Sequence, residues 1–152
     1  MIITPYTTAH KHILAALMAD YMAELESDIP REIVLGKLAD LIDRQCADRI
    51  IQLDLAMDEA CCVGFSVYQI DTEKSDWCKR PGWGFIREFY VVPAYRKGGT
   101  GKALAAHTEL QLRNMGAEAL YLTSTGAVPF WEKCGWKLTE ELCSNGQYIL
   151  EK

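Results

Sequence analysis

Between Val92 and Leu104 the chain reads Pro93-Ala-Tyr-Arg-Lys97-Gly-Gly-Thr-Gly101-Lys-Ala. Gly98, Gly99 and Gly101 let the backbone turn tightly and approach a ligand with no Cβ in the way. Ahead of them, Ile86, Phe89, Tyr90, Val91 and Val92 favour a strand, and Pro93 ends it because it has no N–H to give. Behind them, an amphipathic helix is predicted from Lys102 to Met115. The unpaired N–H groups and positive dipole end of that helix face whatever sits in the loop. An anion is the natural occupant, and a phosphate fits best. Arg96 and Lys97 add positive charge at the mouth. The run Arg96, Lys97, Gly98, Gly99, Thr100, Gly101, Lys102 thus reads as a phosphate cradle.

Two common phosphate loops fail on residues their chemistry requires. A nucleoside-triphosphate P-loop needs Gly, four residues, Gly-Lys and then Ser or Thr. Here Arg96 stands at the leading glycine and Ala103 at the hydroxyl, so the magnesium ligand is missing. A dinucleotide loop needs a third glycine where this chain has Leu104. The pattern Arg96-x-x-Gly99-x-Gly101 instead resembles the acetyl-CoA loop of the GNAT N-acetyltransferase superfamily. A second segment, Ala127-Val-Pro-Phe-Trp-Glu-Lys-Cys-Gly-Trp136, resembles that family's late A-x-x-x-Y-E-K-x-G-F stretch. The two lie in the family's order, with a helix and a strand between them.

The resemblance implies an α+β fold in three layers, a mixed central sheet with helices on both faces. It also implies acetyl transfer from acetyl-CoA to a primary amine, on a small molecule or on a lysine or N-terminal amine, by direct attack in a ternary complex. Arg96 to Lys102 would hold the pyrophosphate. Backbone N–H groups of Tyr90, Val91 and Val92 would meet the pantetheine arm and polarise the thioester carbonyl. Ser124 occupies the place of a frequent Asn at the cofactor, and Trp131 the place of the tyrosine that often protonates the leaving thiolate. An indole N–H is no acid at neutral pH, so Tyr90, Tyr121 and Ser124 are the candidates for proton delivery. No metal is implied.

An alkylammonium of pKa near 10.4 is neutral about once in 2,500 at pH 7, a deficit of roughly 4.6 kcal/mol that a general base partly offsets. Glu88, on the central strand where many relatives carry an acid, is the first choice. Some relatives place the carboxylate one residue earlier, where this chain has Arg87. The competing reading of Glu88 is a strand-end carboxylate paired with Arg87, Arg96 or solvent. The competing reading of Trp131 is packing beside Phe130 and Trp136. Asp20, Glu24, Glu26, Asp28 and Glu32 stand against one base, Arg31. In relatives this region borders the acceptor, which would suit a cationic amine; otherwise it is a solvated helix face. His107, His10 and His12 carry no motif.

The elements that must position these groups follow in order. A short strand spans Met1 to Pro5. A helix capped by Thr7 or Thr8 carries Ile13, Leu14, Leu17, Met18 and Tyr21, and a second after Pro30 carries Ile33, Leu38, Leu41 and Ile42. Arg49 to Met57 and Cys61 to Ile70 read as a hairpin turning at Asp58-Glu59. The polar loop from Asp71 to Gly84 holds Trp77 and Trp83, which either line an acceptor pocket or cover the core. After the central strand and helix come a strand to Ser124, a short helix stopped by Gly135, and a last hairpin turning at Asn145-Gly146.

The 152 residues suit a single domain, residues 1–152, with a real core. A net charge of −5 argues against nucleic acid. No apolar run approaches a membrane span, and no basic-then-apolar leader opens the chain. Cys61 and Cys62 are adjacent and the other four cysteines form no compact framework, so a reduced, cytoplasmic protein is the expectation. Many relatives form homodimers. Two rivals remain open: a non-catalytic acyl-CoA-binding or sensing module, and a nucleotide-binding regulator using the same loop.

Overall fold

The structure is a computed structural model that describes residues 1–75 and 78–152. Asp76 and Trp77 lie outside the described residues, and with them one of the two tryptophans considered for an acceptor pocket. Seven strands form one mixed sheet in the order β1-β2-β3-β4-β5-β7-β6, and with its helices the chain is the expected α+β fold. The strands are β1 Ile2–Pro5, β2 Gln52–Asp58, β3 Cys61–Ile70, β4 Gly84–Val91, β5 Leu120–Ser124, β6 Lys137–Leu142 and β7 Tyr148–Glu151. The helices are α1 Lys11–Glu24, α2 Arg31–Ile33, α3 Ala39–Ala47, α4 Thr100–Asn114 and α5 Val128–Lys133. No helix among the described residues is long and apolar enough to cross a membrane. The thiols are unpaired.

By its internal contacts the chain divides into two compact units, residues 1–65 with 90–101, and residues 66–89 with 102–152. In the first, β1 pairs antiparallel with β2 from Ile2↔Met57 to Pro5↔Asp54. A 3-10 turn, Thr8–His10, leads into α1 with Thr7 at its N-cap, and His10 Nδ1 accepts the Thr7 N–H at 3.0 Å. The apolar spacing of α1 buries Leu14, Leu17 and Met18, each contributing about 1.5–3 kcal/mol. Pro30 stands just before α2, and Val34–Leu38 joins α2 to α3 through a π-helical turn. Phe65 and Tyr90 both pack on Tyr21 of α1, with ring centroids 5.5 and 5.2 Å away. Gly64 permits close approach here: a Cβ at this position would lie 2.7 Å from the Tyr90 carbonyl oxygen.

In the second unit, β4 and β5 are parallel, from Gly84↔Leu120 to Ile86↔Leu122. Beyond that register β4 runs on to Val91 while β5 pairs with β7 as far as Ser124↔Tyr148. Leu112, Leu120, Leu122, Trp131, Trp136 and Leu150 lie in the main apolar cluster. A smaller one holds Phe85, Tyr121 and Ile149, against which Trp83 packs. Trp83 thus covers core.

Candidate cofactor loop and catalytic strand

In the first unit, β4 ends at Val91 and the chain passes through a single 3-10 turn, Pro93–Tyr95, into the cradle. The Tyr95 hydroxyl donates to Asp58 Oδ2 at 2.6 Å, fastening that turn to the end of β2. Lys97 has φ +68° and Gly99 φ +91°, while Gly98 between them is not left-handed. Backbone that alternates between right- and left-handed conformations turns successive N–H groups toward one side as a nest, and the left-handed Lys97 and Gly99 suit that arrangement. Thr100, Gly101, Lys102 and Ala103 then open α4, where N–H groups have no acceptor within the helix. A Cβ on Gly99 would meet nothing within 4 Å, and one on Gly98 only the Tyr95 carbonyl at 3.9 Å. The glycines are therefore not there for packing. Gly99 supplies the left-handed backbone, and both leave open space where a ligand can sit. Thr100 is buried, Gly101 half-buried, and Lys97 and Lys102 are exposed.

The charge at the mouth is distributed differently from the sequence expectation. The Arg96 side chain folds back: Nε donates to the Val91 carbonyl at 2.8 Å and Nη2 to Glu24 at 2.7 and 2.9 Å. Its guanidinium carbon lies 5.5 Å from the Tyr90 ring centre. Lys97 and Lys102 are the exposed cations of the loop. The Tyr90 hydroxyl is raised above its ordinary range by burial first and by its hydrogen bond to Glu24 next, which makes it a weaker proton donor.

The Val92 backbone requires a correction. Its N–H donates to the Val63 carbonyl at 2.9 Å and its carbonyl accepts the Tyr95 N–H at 2.9 Å. The N–H is therefore taken, while the carbonyl keeps one lone pair. Because strand N–H groups alternate in direction, the Tyr90 N–H points the same way as that of Val92, and the Val91 N–H points to the other side. Val91 is thus the donor of the three that suits a ligand.

In the second unit, Glu88 is half-buried on β4, on the same strand face as Tyr90 by alternation. Phe89 points to the opposite face and meets Trp131 edge-on at 4.8 Å. Trp131 is 4% exposed and also contacts Phe130 and Trp136 at 4.9 and 5.5 Å. Ser124 is buried at the end of β5, where its Oγ accepts the Ala127 N–H at 3.3 Å and shapes the turn into α5. The Tyr121 hydroxyl donates to Asp71 and accepts the Lys79 N–H at 3.2 Å, so it is already engaged. Of the acidic residues ahead of α3, Glu24 pairs with Arg96 and Asp20 lies 3.7 Å from Arg31. Glu26, Asp28 and Glu32 are exposed.

In chain order, β4 is followed by a single 3-10 turn, a glycine-rich loop and the start of α4. The sequence model of the acetyltransferase (GNAT) family matches residues 14–136. The chain belongs to the GNAT acetyltransferase family. No curated protein matches it in sequence. A ribosomal-protein-alanine N-acetyltransferase from Brucella melitensis has a TM-score of 0.75 and 17% identity, over 100% of this chain and 99% of that one. An N-acetyltransferase (PaiA) from Thermoplasma acidophilum, in complex with coenzyme A, gives 0.74 and 17%, over 100% and 99%. An aminoglycoside 6′-N-acetyltransferase complexed with coenzyme A gives 0.74 and 16%, over 100% and 96%. These likenesses establish the shared fold.

Proposed function

We propose that the protein is an acetyl-CoA-dependent N-acetyltransferase acting on a primary amine, its 152 residues forming one catalytic domain. The observation that carries the reading is the nest at Lys97 to Gly99 running directly into the N-terminus of α4. In this reading the loop from Arg96 to Lys102 holds the pyrophosphate. The Val91 N–H meets the pantetheine arm, supported by the end of the β4–β5 register at Ile86 and Leu122. Glu88 takes a proton from the acceptor ammonium, directly or through water. The neutral nitrogen attacks the thioester carbonyl, the C–N bond forms, the C–S bond breaks to release CoA thiolate, and the nitrogen gives up its second proton to water or to that thiolate. A thiol of pKa near 8.5 leaves without obligatory protonation, which accommodates Trp131 where relatives have tyrosine. The exposed Glu26, Asp28 and Glu32 suit a cationic acceptor; their neutralisation raises the acceptor KM in this reading, and an unchanged KM argues against it.

The second reading is a non-catalytic acyl-CoA-binding module. It is favoured by the burial of Trp131 and the engagement of the Tyr90 and Tyr121 hydroxyls. Both readings require CoA binding, and only the first requires turnover. Calorimetry with acetyl-CoA on the wild type and on Gly98→Leu tests the loop. Gly98 is the better site for the block, because its φ lies outside the left-handed region and a side chain there enters open space. Loss of binding in a folded Gly98→Leu variant supports the cradle. A folded wild type that does not bind removes both readings. An amine screen with free-thiol detection then separates enzyme from sensor. In the enzyme, Glu88→Gln lowers kcat by about 10²-fold or more, the usual weight of a general base.

A further inference from the structure

We propose that Glu24, the last residue of α1, is a positioning residue for the cofactor loop, acting through the Arg96 guanidinium. The inference rests on the reading of Arg96 to Lys102 as the pyrophosphate cradle. Arg96 is the first residue of that loop, and an arginine there would ordinarily be assigned to the phosphates themselves. Its side chain is held elsewhere by three independent contacts. Nε is on the Val91 carbonyl at 2.8 Å, Nη2 is on both Glu24 oxygens at 2.7 and 2.9 Å, and the guanidinium lies over the Tyr90 ring at 5.5 Å. One side chain thereby joins the end of β4, the end of α1 and the entry to the nest.

Glu24 also accepts the Tyr90 hydroxyl, so it meets both Arg96 and the ring on which Arg96 lies. It stands at the C-terminal end of a helix, where the macrodipole disfavours a carboxylate, and its charge lies beside a loop that is to receive an anion. Both penalties are offset when Arg96 neutralises it. The pair fixes where Arg96 begins, and so where the N–H groups from Lys97 to Thr100 point. Tyr95, bonded to Asp58 at 2.6 Å, fastens the same turn from its other side. With the guanidinium held by Glu24, the pyrophosphate meets backbone N–H groups and Lys97, and the loop requires no rearrangement on binding.

The test compares CoA with acetyl-pantetheine, which lacks the pyrophosphate, on Glu24→Ala, Glu24→Gln, Arg96→Ala and the double variant Glu24→Ala/Arg96→Ala. If Glu24 positions the loop, Glu24→Ala raises the CoA Kd by about fivefold, the scale of a well-formed exposed charge pair. Glu24→Gln, which keeps one oxygen for Arg96, falls between it and the wild type. The Kd of acetyl-pantetheine is unchanged, and the double variant is no worse than Arg96→Ala alone. In turnover the acetyl-CoA KM rises while kcat holds. Tighter CoA binding in Glu24→Ala, or an unchanged Kd, overturns the inference, because Glu24 would then be a competitor for Arg96 or a bystander. Equal losses for CoA and acetyl-pantetheine also overturn it, since they signal a general loss of structure. Failure of the wild type to bind CoA at all would instead remove the reading of the cradle.

Discussion

Removing one hydroxyl from the second unit should change stability in a pH-dependent way. Tyr121 is fully buried, stacked on Phe85 at 4.5 Å, and its hydroxyl donates to Asp71, a carboxylate that is itself 0% exposed. Asp71 also accepts from Gln69 Nε2 at 3.4 Å and from the Lys79 N–H at 3.3 Å. Burial raises the Asp71 carboxyl, but bonds from Tyr121, Cys78, Ser75 and Lys79 outweigh it and the net displacement is downward. The ionised carboxylate therefore contributes stability that is present above its unfolded value, near 3.9, and is lost as pH falls through its lower folded value. Tyr121→Phe keeps the ring and removes the foremost of those bonds. A hydrogen bond to a buried charge is worth about 1.5–3 kcal/mol. A loss of about 2 kcal/mol lowers Tm by roughly 4–8 °C in a chain of this size. Urea denaturation at pH 7 and at successively lower pH should give a deficit that is full at neutrality and shrinks as Asp71 takes up its proton. An equal deficit at pH 7 and pH 3 would refute the reasoning, because the lost hydroxyl would then act by packing alone.

Other perturbations follow from single contacts. Gly64→Ala sets a methyl 2.7 Å from the Tyr90 carbonyl, and backbone cannot rotate away as a side chain would. A destabilisation of about 1–3 kcal/mol is expected in urea denaturation. Trp131→Tyr places a hydroxyl in a site 4% exposed among aromatic rings; the variant should be less stable, and its pH–rate profile should gain no new limb. Burial, reinforced by the Asp43 carboxylate, pushes the Cys46 thiol up to about 12, whereas Cys61 is exposed. At pH 8 a disulfide reagent should label Cys61 rapidly and Cys46 only on unfolding, as mass spectrometry of trapped peptides would report.

Features encoded in neighbouring residues were legible. The glycine spacing before Lys102 announced both the nest and the helix start. The apolar spacing of α1 and the Asn145-Gly146 turn needed no tertiary information. Features that depend on distant partners were not. Nothing in the sequence near Arg96 indicates that its guanidinium meets a carboxylate seventy-two positions earlier. Val92 reads as equivalent to Val91 until Val63 and Tyr95 are seen to take its backbone groups. The π-helical turn at Val34–Leu38 has no residue signature, because it is a choice of hydrogen-bond partner within a run that is helical in composition. Ser124 looked like a ligand to the cofactor, and its Oγ also has a local task in holding the Ala127 N–H.

The division of the chain into residues 1–65 with 90–101 and residues 66–89 with 102–152 has a consequence for how it is made. Synthesis runs from the N-terminus, so β1, α1, α2, α3 and β2 leave the ribosome well before the segment that finishes their unit. Until Tyr90 emerges, Tyr21 and Phe65 lack the third ring of their cluster. Until Arg96 emerges, Glu24 ends α1 with no counter-charge. A nascent chain from which residues 66–89 have emerged but residues 90–101 have not therefore carries an unfinished first unit. The last piece to arrive is the loop itself, and the stretch that would receive acetyl-CoA is also the one whose translation completes the N-terminal unit.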